Sequence, residues 1–296
     1  MNKKFSHVLL TGRLGVKDVP ETLTRTYDYL TKQRVDLTVE STSASLIDNR
    51  VPVADINNLP SSIDLIIVIG GDGSLINAAH SAIKFDIPIM GIHRGRLGFL
   101  TDIPPNELNL IGDVLSGDYL AENRSFFISE YIDTSGTTQH AIAVNDVVLM
   151  PGEIAHMIEF DTFANGQLVY EHRADGLIIA TPTGSTAYAL SGGGPIVHPT
   201  LNATVLVPMF PHTLSSRPIV IDASSAVRVR IHTINESPPC LSFDGRNKVE
   251  VQLGSDIHIK QHTKRLKLIH PKQYSYYQIL REKLGWERRA RRTNEC

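Results

Sequence analysis

The sequence predicts an α/β domain followed by a mostly antiparallel β domain. Up to about residue 125, near-continuous apolar runs alternate with helix-like segments, the pattern of a parallel sheet covered on both faces. Beyond that point the hydrophobic period becomes two, as in Val227-Arg228-Val229-Arg230-Ile231-His232 and Ile257-His258-Ile259-Lys260. Within the first half, the run Leu65-Ile66-Ile67-Val68-Ile69 leads into Gly70-Gly71-Asp72-Gly73-Ser74 and then a helix-like segment, Leu75 to Lys84. Strand, glycine turn and helix together form the usual arrangement of a phosphate site. Glycines let backbone N–H groups approach an anion, and the helix N-terminus adds a favourable dipole. Asp72 is the unexpected member. A carboxylate kept among phosphates is explained if it handles a proton or a metal ion.

The elements follow in order. Val8-Leu9-Leu10 is a first strand and Val19 to Gln33 a polar helix. Val35–Val39, Leu65–Ile69 and Ile87–Ile92 are further strands, the last leading into the loop His93-Arg94-Gly95-Arg96-Leu97-Gly98. Ligands of such sheets bind at the carboxyl ends of strands, where Asp72 falls. In the second half, Asn165-Gly166 and Asp244-Gly245 separate apolar runs and predict hairpins. Gly176-Leu177-Ile178-Ile179-Ala180 reads as a buried strand. It precedes Thr181-Pro182-Thr183-Gly184-Ser185-Thr186-Ala187-Tyr188, which carries five hydroxyl-bearing residues in eight positions. Such hydroxyls cap a helix or bind a polar ligand, and Thr186 to Leu190 looks like the start of a helix ended by Gly192-Gly193-Gly194-Pro195. A helical tail, Tyr274 to Arg291, is predicted to return to the first domain. The expected domains are 1–125 (α/β, with the glycine loop), 126–270 (β) and 271–296 (tail).

Composition narrows the function classes. The chain has 296 residues, 42% hydrophobic and 20% charged, with a formal charge of −2, so no global basic field points to nucleic acid. No apolar stretch approaches the ~20 residues that span a bilayer. Cys240 and Cys296 lack metal-type spacing, and a reduced, cytoplasmic protein of enzyme size is expected. The histidines form no HExxH pair or ligand cluster, so no protein metal site is expected. The basic tail Arg288-Arg289-Ala290-Arg291-Arg292 reads as a solvated end.

Gly70-Gly71-Asp72-Gly73-Ser74 resembles the GGDGT-type loop of the superfamily of NAD kinases, diacylglycerol kinases and phosphofructokinases. The second loop narrows the resemblance, because Thr181 to Tyr188 matches the NAD kinase TPTGSTAY signature throughout. Asn145-Asp146 is similar to the family's Asn-Glu pair, Arg173-Ala174-Asp175-Gly176 to its Arg-x-Asp-Gly segment, and Gly91 to Thr101 to GINxGxLGFLT. Pro208 to Ser215 resembles proteobacterial members. The similarity runs in consistent order over roughly residues 5 to 286.

The resemblance implies transfer of the ATP γ-phosphoryl group to the 2′-hydroxyl of the NAD adenosine ribose. It implies a divalent cation, Mg²⁺, bound mainly through ATP phosphates, and a homotetramer. Asp72 would be the catalytic base, with Gly71 and Gly73 at the phosphates. Asn145 would meet the adenine edge and Asp146 a ribose hydroxyl, while Asp175 and the run Thr186-Ala187-Tyr188-Ala189-Leu190-Ser191 would line the NAD pocket. Arg173 stands at a position associated in the family with preference for NAD over NADH. Arg246 would border the pocket beside the Asp244-Gly245 turn, and His156 reads either as packing or as a substrate contact. Ser74 replaces the usual Thr and Asp146 the usual Glu, one methylene longer. A lipid kinase, a sugar-phosphate kinase or a dinucleotide sensor remains as an alternative. A Rossmann dehydrogenase is disfavoured, since no GxGxxG follows a strand.

Overall fold

A computed structural model describes residues 4–47, 51–153, 156–246 and 248–286. The basic tail and Cys296 lie outside them. The chain divides into two compact units, one of residues 1–122 and 267–296, the other of 123–266.

The first unit begins with β1 (His7–Gly12), α1 (Val19–Lys32), β2 (Asp36–Glu40), β3 (Val53–Ala54), β4 (Leu65–Gly70), α2 (Asp72–Phe85), β5 (Ile89–His93), α3 (Asn109–Ser116) and β6 (Tyr119–Arg124). Pro20 sits in the first turn of α1, where no N–H is needed, and Val19, Leu23, Thr26 and Leu30 bury one face. Alternate strand residues (Val8, Leu10, Leu65, Ile67, Ile69) join Leu23 and Ile111 in one core. Burial of each Leu or Ile side chain contributes roughly 1.5–3 kcal/mol. β1 pairs in parallel with both β2 and β4, and β4 with β5. The chain therefore departs from β1 in both directions, and the crevice at the carboxyl ends of β1 and β4 is a topological switch point.

The second unit contains β7 (Phe127–Ile132), β8 (Thr138–Ala143), β9 (Asp146–Met150), β10 (Ile158–Ala164), β11 (Gln167–Ala174), β12 (Gly176–Ala180), the single helical turn α4 (Tyr188–Ser191), β13 (Ala203–Met209), β14 (Ile219–Asp222), β15 (Val227–Ile231), β16 (Cys240–Phe243), β17 (Lys248–Glu250) and β18 (Asp256–Gln261). They form two six-stranded sheets, β11-β10-β15-β18-β7-β8 and β14-β13-β12-β9-β16-β17. Phe127, Phe160 and Ile257 of one meet Val147, Leu177 and Leu241 of the other in a shared core. On the outer face of the second sheet, Val148, Ile178 and Val205 pack against Ala189 and Val197. That double burial explains why Gly176–Ala180 reads as an unbroken apolar run in an antiparallel sheet. Asn165 (φ 49°) and Gly166 (φ 79°) both adopt the left-handed conformation that a two-residue hairpin requires.

The last strand, β19 (Leu266–Pro271), pairs in parallel with β5, so the first sheet runs β3-β2-β1-β4-β5-β19-β6. The final helix, α5 (Tyr276–Leu284), is capped by Ser275 and stopped by Gly285 (φ 68°). Within the described residues it starts two residues after the predicted Tyr274 and ends at Leu284, where the left-handed glycine stops the hydrogen-bond ladder, and residues 287–291 of the predicted segment lie outside the described residues. The helix predicted from Thr186 is likewise a 3₁₀ turn (Gly184–Thr186) followed by α4. Among the described residues no helix is long and apolar enough to cross a membrane.

Candidate functional site

The glycine turn caps α2 at the switch-point crevice. Gly71 is the N-cap and Asp72 the first helical residue, and no side chain caps this end. The glycines divide into two kinds. A Cβ on Gly70 would meet the Ser74 Oγ at 2.5 Å, so the fold itself requires that glycine. A Cβ on Gly71 or Gly73 would meet nothing within 4 Å, and neither residue has a positive φ. The fold tolerates a side chain at both positions, so what their absence provides is room for something outside the chain. The Ser74 Oγ is buried in the same turn without a hydrogen-bond partner. Open backbone, an uncapped helix end and an orphaned hydroxyl suit an anion.

Asp72 is held from a distance in sequence. Its Oδ2 accepts from the N–H of Phe99 (2.8 Å), and its Oδ1 from Leu100 N (3.0 Å), Thr101 N (3.1 Å) and Thr101 Oγ1 (3.2 Å). Two rotatable bonds are thereby fixed by a loop of backbone donors. Gly98 makes this possible, since a Cβ there would overlap both the Asp72 Oδ1 and the Thr101 hydroxyl. Gly98→Ala should therefore displace the carboxylate, reducing turnover by on the order of 10²-fold. Steady-state kinetics with a melting curve checks this, and a fully active, folded variant would show that the carboxylate's placement is not limiting.

In the second unit, Asp244 organises the Asn145-Asp146 corner. Asp244 has φ 56° in the turn after β16, and its carboxylate accepts from the N–H groups of Val144 (2.9 Å), Asn145 (2.6 Å) and Asp146 (3.2 Å). From the other side, Thr181 N donates to the Asn145 carbonyl (2.8 Å) and Thr181 Oγ1 to that of Val144 (2.7 Å). Gly184 packs so closely on the Asn145 carbonyl that a Cβ would overlap it. Asp146 is 3% exposed, and burial first, then the Asp244 charge, raise its pKa to about 7. Asn145 is half-buried.

The hydroxyls of the second loop are largely occupied. Thr181 Oγ1 accepts from Gly184 N, Ser185 Oγ donates to the Pro182 carbonyl, and Thr186 Oγ1 donates to the Thr183 carbonyl. Loop shaping thus accounts for most of them. Ala189 is fully buried in the outer apolar layer, so its side chain faces the core. Tyr188 is 49% exposed and lines, with Ser191, Met209 and Phe210, a cleft of about 550 Å³. His156 and Arg173 share a second cleft of about 410 Å³, and His156 Nδ1 lies 3.4 Å from Glu236 Oε2. Asp175 N donates to the Met209 carbonyl and His212 N to that of Arg173, joining the 173–175 segment to the chain after β13. Thr186, Ala187 and Leu190 are partly exposed, and Arg246 is exposed beside the Asp244 turn.

Sequence reasoning missed the loop donors at 99–101 and the captured N–H groups at 144–146. Gly98 was the one signal for the first. Nothing local to Asp244 indicates the second.

The switch-point sheet, its uncapped helix end and the fixed carboxylate define a nucleotide-phosphate-binding protein with the components of a phosphotransferase. Residues 16–119 match the family of ATP-NAD kinase N-terminal domains, and residues 144–271 that of the C-terminal domains. The chain is 51% identical over 287 residues to the NAD kinase of Coxiella burnetii (strain Dugway 5J108-111), covering 97% of this chain and 96% of that protein. It is 48% identical to the NAD kinase of Chromohalobacter salexigens (96% and 98% covered). Among solved structures, yeast NADH kinase complexed with NADH superposes with a TM-score of 0.85 at 24% identity, covering 98% of this chain and 90% of that one. The NAD kinase from Archaeoglobus fulgidus in complex with ATP gives 0.72 at 22%, covering 94% and 98%. These two show the shared fold. The chain belongs to the ATP-NAD kinase family.

Proposed function

We propose that this chain transfers the γ-phosphoryl group of ATP to the 2′-hydroxyl of the adenosine ribose of NAD, giving NADP and ADP. The observation that carries the reading is Asp72, an immobilised carboxylate at the open N-terminus of α2, beside glycines that the fold does not require. A ribose hydroxyl is a poor nucleophile. A carboxylate that accepts its proton as the O–P bond forms contributes roughly 10²–10⁴ in rate. The N–H groups at Gly71 and Gly73 receive phosphate oxygens and spread the transition-state charge.

Asn145 supplies a donor and an acceptor to the adenine edge, and Asp146 beside it is assigned to the ribose hydroxyls. Asp175 and Thr186 to Ser191 line the dinucleotide site, with the exposed Tyr188 ring as a flat apolar contact and the buried Ala189 acting only through its backbone. His156, Arg173 and Arg246 border it. Among the described residues no group of three His, Cys, Asp or Glu side chains is disposed to hold a metal ion. A divalent cation, Mg²⁺ in this reading, arrives with the nucleotide, its charge offset by phosphate oxygens. The working assembly is a cytoplasmic homotetramer.

The test is direct. Purified protein with ATP, Mg²⁺ and NAD should form NADP, followed by an NADP-specific dehydrogenase. Absence of NADP formation by folded protein would reject the reading. Arg173→Gly should then relax the preference for NAD over NADH, because the bulk of an exposed Arg side chain in the His156 cleft is able to discriminate sterically against the reduced form, whereas its charge alone would favour the uncharged dihydronicotinamide. The comparison is kcat/KM for both substrates in both proteins. An unchanged ratio places selectivity elsewhere.

A further inference from the structure

We propose that His270 is a positioning residue for Asp72, acting as a buried imidazole pin on the loop that holds the Asp72 carboxylate. The inference rests on Asp72 being the base.

His270 lies on β19 with no exposed surface. Its Nδ1 is 2.9 Å from Asp102 Oδ2, and its Nε2 is 3.5 Å from Glu122 Oε2 on β6, within ion-pair distance. Tyr274 stacks on the ring at 3.8 Å between centroids. Asp102 directly follows Thr101, whose N–H and hydroxyl both donate to Asp72 Oδ1. The next residue, Ile103, bridges to Ile92 of β5 and donates its N–H to the Gly91 carbonyl. The segment is therefore fixed twice, by β5 through Ile103 and by His270 through Asp102. The path from the catalytic carboxylate to the imidazole consists of Thr101, Asp102 and two hydrogen-bonded contacts.

Hydrophobic packing alone would attach β19 to the sheet at less cost, since burying two carboxylates and an imidazole carries a desolvation penalty. What the ionic arrangement adds is a defined position for Asp102, and hence for the donors at 99–101. The groups facing the pin are Asp102, Glu122 and the Tyr274 ring. His93 interacts with Asp102 in turn, and Lys272 is engaged at the surface by Asp118 at 2.7 Å. Burial opposes a charge on His270, but the two carboxylates outweigh it and raise its pKa above the ordinary histidine value. The sign follows. The doubly paired, protonated pin persists to higher pH than an ordinary histidine would allow, and is lost as pH rises through the raised folded value.

Three variants test the proposal in the NADP-forming assay, with NAD affinity read by calorimetry. His270→Ala should lower kcat by on the order of 10- to 10²-fold with NAD affinity changed by less than about threefold, since misplacing a catalytic group affects turnover before binding. His270→Asn keeps a donor for Asp102 without the titratable charge. It should recover much of kcat and lack the alkaline decline that the parent is expected to show. Glu122→Gln removes one of the carboxylates that hold the proton, and should move that decline to lower pH while leaving the plateau kcat unchanged. Unaltered kcat in His270→Ala, losses matched by the unfolded fraction in circular dichroism, or an unmoved alkaline limb in Glu122→Gln would each overturn the pin. If His270→Ala does not fold, the two pH profiles decide. Asp72→Asn is measured alongside. Near-normal turnover there removes the base, whereas an inactive Asp72→Asn with an indifferent His270 series removes only the pin.

Discussion

Asp72→Asn should retain the fold and much of the affinity for NAD while kcat falls by 10²-fold or more, equivalent to about 2.7 kcal/mol of barrier. Two physical effects contribute. The amide cannot accept the ribose proton. It also fits the surrounding donors less well, since both Asp72 oxygens face N–H or O–H groups and the amide nitrogen would oppose one of them. Part of the loss would therefore come from a loosened 98–101 loop. Thr101→Val separates the two, because it removes one hydroxyl donor and leaves the carboxylate and the backbone donors in place. Its kcat should fall by less than about tenfold, as expected for one neutral hydrogen bond of roughly 0.5–1.5 kcal/mol. If the Asp72→Asn loss were no larger than that of Thr101→Val, the carboxylate would be a loop anchor and not the base.

That comparison shows which parts of the site are local in sequence. Gly70 to Ser74 is legible because strand, turn and helix are contiguous and each residue type has a short-range reason to be there. The apolar period gave both units' architecture for the same reason, and the Asn165-Gly166 hairpin followed from two left-handed positions. The supports are different. Asp72 is fixed by backbone N–H groups 27–29 residues away, which any sequence would possess. Asp244 was legible as a turn former, yet its carboxylate is engaged by donors about 100 residues upstream. The hydroxyl-rich loop was legible as either loop shaping or ligand contact, and Thr181, Ser185 and Thr186 each have a local hydrogen bond within it. β19 carries a strand signal but none for its partner, because parallel pairing with β5 joins residues about 180 positions apart, Leu268 opposite Ile89.

Asp146 offers the largest expected effect on stability. Its folded pKa of about 7 stands well above the ordinary carboxylate value, through burial first and the neighbouring Asp244 second. The sign follows from proton binding. Between the unfolded and folded pKa values the native state holds a proton that the unfolded chain has released, so stability from this group is full at acid pH and is lost as pH rises through about 7. Above that, the native protein carries a buried ionised carboxyl at a cost of up to about 4 kcal/mol, from some three pKa units at 1.36 kcal/mol each. Asp146→Asn removes the titration while keeping the shape. The variant should exceed the parent in urea denaturation by about 2–4 kcal/mol at pH 8.5, with the advantage shrinking below pH 6. Asp244→Asn should shift the parent's inflection toward lower pH, because it deletes the second cause and leaves the first. The amide still offers an oxygen to the N–H groups of residues 144–146, so this corner should persist. Parallel stability-versus-pH curves for parent and Asp146→Asn would mean that Asp146 is solvated in the native state. Binding has the opposite expectation. If the Asp146 carboxyl meets the ribose hydroxyls, the stabilised Asp146→Asn variant should bind NAD more weakly, and gain of stability with loss of affinity would identify a group whose burial is maintained for the ligand.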